Sequence, residues 1–169
     1  MHRRPFIVLL AGFLACLGAS AARGLDRGTV APPLLLRGDA GNVAVPATGA
    51  RLTWVDFWAS WCGPCRKSFP WMNEMQARYG AAGFKVVAVN LDAEAEDALR
   101  FLKEVPADFL VAYDSAGDSA RRYGVMGMPT SVLLDAEGKV LLHHAGFDRD
   151  DAPALEAAIR EALGTESAR

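Results

Sequence analysis

Two apolar runs in the middle of the chain define its predicted core. Leu52–Trp58 and Phe84–Leu91 are rich in β-branched and aromatic side chains, which is typical of buried strands. Between them, apolar residues recur at helical spacing as far as Tyr79, and Gly80 follows. The predicted core face of this helix consists of Phe69, Met72, Met75 and Tyr79. The pattern predicts a strand, a helix kinked at Pro70 and a second strand.

An amphipathic helix and a short strand are predicted next. The acid-rich segment Asp92–Glu104 has helical periodicity and is stopped by Pro106. Its apolar stripe consists of Ala95, Leu99, Leu102 and Val105. A short strand at Phe109–Ala112 and a short helix at 116–123 follow.

A hairpin and a final helix are predicted at the C-terminal end. Thr130–Leu134 and Lys139–His144 flank the turn sequence Asp-Ala-Glu-Gly, which is a hairpin signature. Asp148–Asp151 then caps a helix with Pro153 in its first turn. The core face of this helix consists of Leu155, Ile159 and Leu163.

Residues 23–50 predict a smaller hairpin. Two apolar patches, Leu34–Leu36 and Val43–Val45, flank Gly41-Asn42, which we interpret as the turn. Strands and helices that alternate and then end in a hairpin and a helix predict an α/β fold, a mixed central β-sheet with helices on both faces.

The first 22 residues carry an export pattern. Arg3 and Arg4 precede an apolar stretch that reaches Leu17, and a small-residue site follows, as in a secretory signal peptide. We therefore predict that residues 1–22 are a signal peptide or an uncleaved membrane anchor and that residues 23–169 form one domain. The expected location is the periplasm, either soluble or anchored to the inner membrane.

The charge of the exported chain limits its partners. The full sequence has 18 basic and 20 acidic side chains, and residues 1–22 contain two arginines and no acid, which leaves 16 against 20 and a formal charge of −4. An acidic balance argues against nucleic acid or an anionic membrane surface as a partner.

The strongest chemical signal is the stretch Trp61-Cys62-Gly63-Pro64-Cys65, directly after the first apolar run. Pro64 suits the first turn of a helix, so Cys62 is predicted at a helix N-terminus, which stabilises a thiolate. Cys62 is the candidate nucleophile, at the exposed end of the motif, and Cys65 is the candidate resolving thiol. The alternatives are a structural disulfide and half of a zinc site. Zinc would need two more ligands, and the sequence has no second cysteine pair or spaced histidine pair.

Asp56 is the second candidate catalytic residue. It lies between Val55 and Phe57 in an apolar strand, where an unpaired carboxylate is costly. A buried carboxyl has a raised pKa and can accept the proton of a buried thiol. The alternative is that Asp56 faces solvent at a strand end.

The order of elements, with Trp-Cys-Gly-Pro-Cys after a strand and Met128-Pro129-Thr130 before the hairpin, resembles the thioredoxin superfamily over about residues 30–163. The similarity is greatest to exported TlpA/ResA-like thiol–disulfide oxidoreductases. It implies a thioredoxin-like fold with an N-terminal β-hairpin and a strand–helix insertion at about Asp92–Ala112.

The resemblance also implies residue roles. It makes Pro129 a cis-proline facing the cysteines and frees the Met128 backbone to pair with an extended substrate. It makes Asp56 the base for Cys65, although many relatives have Asn there and an acid near Ser68 instead. Trp61, Gly63 and Pro64 complete the predicted substrate-binding surface, with Trp61 as a lid.

Together these features predict an exported reductase of protein disulfides. The resemblance implies clients in cytochrome c or copper-site assembly and a membrane thiol reductant as electron donor. We expect a monomer that needs no cofactor and no metal. The alternatives are a disulfide oxidase or isomerase with the same residues, and a copper-binding chaperone that uses the cysteines with His143 or His144.

Overall fold

The computed structural model describes residues 25–164, so the predicted export segment 1–22 lies outside the described residues. The strands are β1 Leu34–Gly38, β2 Gly41–Val45, β3 Leu52–Trp58, β4 Phe84–Asn90, β5 Leu110–Tyr113, β6 Thr130–Asp135 and β7 Val140–Ala145. The helices are α1 Gly63–Tyr79, α2 Ala95–Glu104, α3 Asp118–Arg122 and α4 Ala152–Leu163, with a 3₁₀ turn at Gly80–Ala82.

All seven strands form one mixed sheet, in the order β2-β1-β5-β4-β3-β6-β7. The three central strands, β5, β4 and β3, are parallel, and the strands outside them pair antiparallel. This is the mixed central sheet that the element order predicted. Each residue of β3 is buried, as expected for a central strand covered on both faces.

Alternate residues of β3 contribute to two separate cores. Trp54 and Trp58 belong to the core that α1, α2 and α4 cover, whereas Val55 and Phe57 belong to the core beneath α3. The strand is joined to α1 by aromatic contacts, with ring centroids 5.1 Å apart for Trp54–Trp71 and 4.9 Å apart for Trp58–Phe69. Since side chains alternate along a strand, Asp56 lies on the α1 face between the two tryptophans.

The predicted core faces of α1 and α4 are confirmed. Every side chain assigned to them is buried: Phe69, Met72, Met75, Tyr79, Leu155, Ile159 and Leu163. Pro70 lies inside α1, which continues to Tyr79. No helix within residues 25–164 is both long and apolar enough to cross a membrane.

The predicted apolar stripe of α2 is half right: Leu102 and Val105 are partly buried against the α1-side core, whereas Ala95 and Leu99 are exposed. Leu99 is 47% exposed, and the buried residues of the helix are Ala98 and Phe101. Phe101 contacts Trp58 and Phe69 in the α1-side core. The aromatic side chain buries more surface than a leucine, so it sets which face of the helix turns inward.

The N-terminal hairpin is confirmed, but its predicted turn is misplaced. Gly38 pairs with Gly41, so the turn consists of Asp39 and Ala40, and Gly41 already begins β2. The neighbouring strand approaches Gly38 closely, and a Cβ at this position would lie 2.6 Å from the Val43 side chain. The hairpin extends the central sheet because β1 pairs with β5.

Candidate active site

The two cysteines form a disulfide at the start of α1. Cys62 is the N-cap of the helix and is joined to Cys65, with Cα atoms 5.3 Å apart. Cys62 is 4% exposed and Cys65 is fully buried. Cys62 is thus the more exposed of the two cysteines, as predicted, but it is much less exposed than the prediction implied. In the oxidised state it presents only a small surface to solvent, although more than Cys65 does.

The start of α1 favours negative charge on Cys62. The backbone N–H of Cys65 donates a hydrogen bond to Cys62 Sγ at 3.2 Å. The first turn contains no acidic residue. Free N–H groups and the helix dipole therefore act on this sulfur without an opposing carboxylate, and they stabilise a thiolate there once the disulfide is reduced.

Arg66 follows Cys65 in α1, but its charge is paired with another helix. Its guanidinium pairs with Glu104 at 2.8 Å and lies over the Phe101 ring, 5.0 Å from the centroid. Both partners belong to α2. Arg66 therefore ties the N-terminal part of α1 to α2.

A buried carboxylate that sequence reasoning missed anchors the loop before Cys62. Asp92 is 5% exposed and accepts hydrogen bonds from the backbone N–H and the hydroxyl of Ser60, at 2.9 and 3.0 Å. It also accepts one from Asn90 Nδ2 at 2.8 Å. The only available signal was a polar residue at the end of an apolar strand. This network holds the main chain two residues before Cys62.

The predicted substrate-binding residues lie around the disulfide. Trp61 is 74% exposed, and Gly63 and Pro64 are also exposed. The Met128–Pro129 peptide bond is cis. Met128 is half-buried and packs against the apolar cluster that contains both cysteines.

Two hydrogen bonds fix the cis-proline loop, and sequence reasoning missed both. Thr130 Oγ1 donates to the carbonyl of Gly127 at 2.7 Å. The backbone N–H of Gly146, beyond the end of β7, donates to the carbonyl of Pro129 at 2.7 Å. The loop is thus held from its own side and from the neighbouring strand.

Asp56 is completely buried, so it does not face solvent at a strand end. Loss of solvation is the largest influence on its carboxyl and raises the pKa from its ordinary 3.8 to about 7, while a hydrogen bond from Ser131 acts in the opposite direction. The carboxyl can therefore gain or lose a proton near neutral pH. Ser131 was not identified from the sequence, where it directly precedes the apolar run Val132–Leu134.

Ser68 provides no second acid. Its side chain is buried, and its hydroxyl donates to the carbonyl of Cys65 at 3.1 Å. Asp56, whose pKa is raised to about 7, is thus the candidate proton acceptor on the α1 side of β3.

The two candidate histidines lie at an edge of the sheet, separated from β3 by β6. His143 and His144 are in the edge strand β7, and His144 Nε2 lies 3.4 Å from Asp151 Oδ2. Residues 25–164 contain no group of three or more His, Cys, Asp or Glu side chains arranged to hold a metal ion. The copper-chaperone alternative therefore finds no ligand cluster in the described part of the chain.

Comparison with known proteins assigns the family. The model of the Redoxin family matches residues 31–159, and the chain belongs to this family. It is 38% identical over 87 residues to the thiol–disulfide oxidoreductase ResA of Bacillus thuringiensis subsp. konkukian, a match that covers 52% of this chain and 50% of the relative. For ResA of Bacillus subtilis the identity is 29% over 118 residues, 69% of this chain and 66% of the relative.

A solved structure agrees over a larger share of the chain. The crystal structure of a candidate thiol:disulfide interchange protein DsbE from Chlorobium tepidum is 57% identical, with a TM-score of 0.81. The match covers 83% of this chain and all of that chain. Among the curated relatives, in contrast, the chain spans about half the length of the first ones that it matches. The thioredoxin-like fold is confirmed by this structural agreement.

We expect the Asp56 carboxyl to make stability depend on pH. Its pKa is about 7 in the folded chain and 3.8 ordinarily, so the unfolded chain releases this proton first as pH rises. The contribution to stability is full below about pH 4 and is lost as pH rises to about 7. Asp56→Asn removes this pH-dependent loss, so the stability of the variant relative to the parent chain should rise by up to about 4 kcal/mol between pH 4 and 8. Urea unfolding of both oxidised proteins across this range measures the gain.

Asp92→Asn is the matched control. Asp92 is also buried, but its oxygens accept hydrogen bonds from Ser60 and Asn90. Its replacement should lower the free energy of unfolding at pH 7 by about 1–3 kcal/mol, because buried donors lose their acceptor. Parallel pH curves for the parent chain and Asp56→Asn would contradict the assignment of a near-neutral pKa to Asp56.

Proposed function

We propose that this protein is an exported thiol–disulfide oxidoreductase that reduces protein disulfides through Cys62 and Cys65. The observation that supports this most directly is the Cys62–Cys65 disulfide at the N-terminus of α1, with Cys62 as the helix cap. Membership of the Redoxin family and the names of the ResA relatives point to the same chemistry.

The first half-reaction belongs to Cys62. In the reduced protein its thiolate, stabilised at the start of α1, attacks one sulfur of a client disulfide. A bond forms between Cys62 Sγ and that sulfur, and the client's second sulfur leaves as a thiolate that takes a proton from water. The product is a mixed disulfide between Cys62 and the client.

The second half-reaction belongs to Cys65 and Asp56. The buried Cys65 thiol gives its proton to the Asp56 carboxylate, and the resulting thiolate attacks Cys62 Sγ. The Cys62–Cys65 bond forms and the bond to the client breaks. The client leaves as a thiolate and is protonated, so one disulfide has been reduced and one has formed. A donor of thiol electrons must then reduce the Cys62–Cys65 bond again.

The client binds across the exposed rim of the cysteine turn. Trp61, Gly63 and Pro64 are exposed there, and the cis-proline loop lies against the same apolar cluster as the cysteines. An extended client segment pairs with the Met128 backbone as an added strand, beside Pro129. The exposed Trp61 ring covers the apolar part of that segment.

The partners and the location follow from this chemistry. An exported dithiol needs a continuous supply of reductant, because it is oxidised in the periplasm. We therefore assign it a membrane thiol reductant as donor and disulfide-containing proteins as clients, including those of cytochrome c or copper-site assembly. The N-terminal segment 1–22 supports export to the periplasm, either as a cleaved signal or as an inner-membrane anchor.

The two cysteines should differ in their kinetic effects. Cys62→Ser should abolish disulfide reduction with insulin as substrate, because the attacking sulfur is lost. Cys65→Ser should instead accumulate a mixed disulfide with the client, because the resolving sulfur is lost. Reduction assays and non-reducing gels distinguish the two outcomes. Alkylation of the reduced protein at neutral pH should label Cys62 first, and labelling of Cys65 before Cys62 would reverse the roles.

The reduction potential should separate a reductase from an oxidase. The Gly63-Pro64 dipeptide is typical of reducing members of the superfamily, so we expect a value near that of thioredoxin, about −270 mV. Equilibration with glutathione or dithiothreitol buffers, read by mass after alkylation, gives the potential. A value near −120 mV, as in a strong periplasmic oxidant, would favour the oxidase alternative.

Asp56→Asn should slow the second half-reaction and spare the first. General-base help is typically worth 10²–10⁴ in rate, and thiol exchange should lie at or below about 10². The variant should therefore release the client from the mixed disulfide up to about 100-fold more slowly, with attack by Cys62 nearly unchanged. Stopped-flow measurement follows the two steps separately. An unchanged release rate would mean that the Cys65 proton goes to another acceptor.

A further inference from the structure

Asp56 belongs to a row of residues that crosses four strands. It pairs with Ala88 of β4 on one side and with Ser131 of β6 on the other, and Ser131 pairs in turn with His144 of β7. Directly paired residues point to the same face of a sheet, so these side chains share the face that α1 and α4 cover. The row brings a hydroxyl next to the buried carboxyl.

Ser131 makes a short hydrogen bond to one oxygen of that carboxyl. Its hydroxyl donates to Asp56 Oδ1 at 2.6 Å, and the residue is 4% exposed. This length is typical of an O–H donor bound to an ionised carboxylate, which is a strong hydrogen bond. No other hydrogen bond to the Asp56 side chain is present within residues 25–164.

The second oxygen of Asp56 is buried and has no partner. Within the described part of β3, three buried side-chain polar atoms lack a hydrogen bond: Trp54 Nε1, Asp56 Oδ2 and Trp58 Nε1. All three side chains lie on the α1 face of the strand. Unsatisfied buried groups are rare and need an explanation, and here one of them is a carboxyl oxygen.

We propose that Ser131 is a positioning residue of the redox site, which holds Asp56 by Oδ1 and leaves Oδ2 as the atom that takes the proton of Cys65. This proposal rests on the proposed function, in which Asp56 is the base for Cys65. Ser131 touches neither cysteine in this role, and it acts through the carboxyl.

The hydrogen bond fits both protonation states of the carboxyl. When Asp56 is ionised, Ser131 donates to Oδ1. When Oδ2 takes the proton from the Cys65 thiol, Oδ1 still accepts from Ser131 and the carboxyl does not need to rotate. The proton moves from Cys65 Sγ to Asp56 Oδ2, and the electron pair left on sulfur forms the bond to Cys62. The bond is stronger to the ionised form, so Ser131 also keeps the pKa of Asp56 lower than burial alone would set it.

Few other titratable groups share this face. On α1 the inward titratable groups are Cys65 and, at the other end of the helix, Tyr79, whose hydroxyl donates to Glu156 of α4. Arg66 and Lys67 are exposed, and β4 presents Ala88 to Asp56. His144 faces Ser131 from β7, and Asp151, before α4, contacts His144. Asp92, beyond the end of β4, is bound to Ser60 and Asn90.

The test is the pH profile of client release from the mixed disulfide. Ser131→Ala removes the donor, so the ionised carboxyl becomes less favourable and the midpoint of the profile should rise by about one pH unit. At pH 6, release should be about tenfold slower than in the parent chain, since a tenfold smaller fraction of Asp56 is ionised. Ser131→Thr keeps the hydroxyl and should restore the midpoint. Carboxyl ¹³C NMR of the oxidised proteins should show the same rise for Asp56.

Ser119→Ala is the matched control. Ser119 is also buried and its hydroxyl donates to a carboxylate, Asp114, at 2.5 Å, but it lies in α3, which packs on the opposite face of the sheet. This variant loses a comparable hydrogen bond and should leave the midpoint of release unchanged.

The outcomes separate the inference from the proposed function. If Asp56→Asn slows release while Ser131→Ala leaves the midpoint in place, Ser131 is not a positioning residue and the proposed function stands. A rise in the Asp56 pKa by NMR without a change in release would also overturn the role of Ser131. If Asp56→Asn has no effect on release, the base role fails together with the inference. Activity that survives Cys62→Ser would reject the function itself.

Discussion

Strand β3 is buried along its whole length, with α1 packed on one face and the core beneath α3 on the other. Because Trp54 and Trp58 are packed against Trp71 and Phe69, the position of α1 over this strand is fixed. The turn that joins the strand to the helix must then lie at the end of the sheet, and Cys62 is the N-cap of the helix. The same packing encloses the side chain between the two tryptophans, Asp56, and removes it from water.

Asp56 within this strand and Asp92 near its end show two different ways in which a fold can accommodate a buried carboxylate. Asp92 has hydrogen bonds from Ser60 and Asn90 and fastens the loop before Cys62. Asp56 has one hydrogen bond and an oxygen without a partner. A purely structural carboxyl gains stability when every oxygen is satisfied. The incomplete solution at Asp56 lowers stability at neutral pH, and the proposed transfer of the Cys65 proton to Asp56 gives that arrangement a use.

The sequence allowed prediction wherever one local pattern decided the outcome. The buried β3 run, the core face of α1, the helix start at Pro64 and the burial of Asp56 all follow from apolar spacing and from the properties of proline. The face of α2 followed only in part, because the contacts of Phe101 with Trp58 and Phe69 depend on residues more than thirty positions away. Ser131 and the carboxylate anchor at Asp92 were missed for the same reason. Their partners become neighbours only through the pairing of distant strands.

Burial also orders the two cysteines. Cys65 is fully enclosed and Cys62 has a narrow exposed edge, so a client can approach only the sulfur of Cys62. The residues around that edge, Trp61, Gly63 and Pro64, are exposed, so a polypeptide segment can reach it. Once a client is attached, the one sulfur within reach of Cys65 is that of Cys62, its partner in the disulfide. In the proposed mechanism, attack from outside and resolution from inside are therefore separated by depth, and a base for the second step has to be buried as Asp56 is.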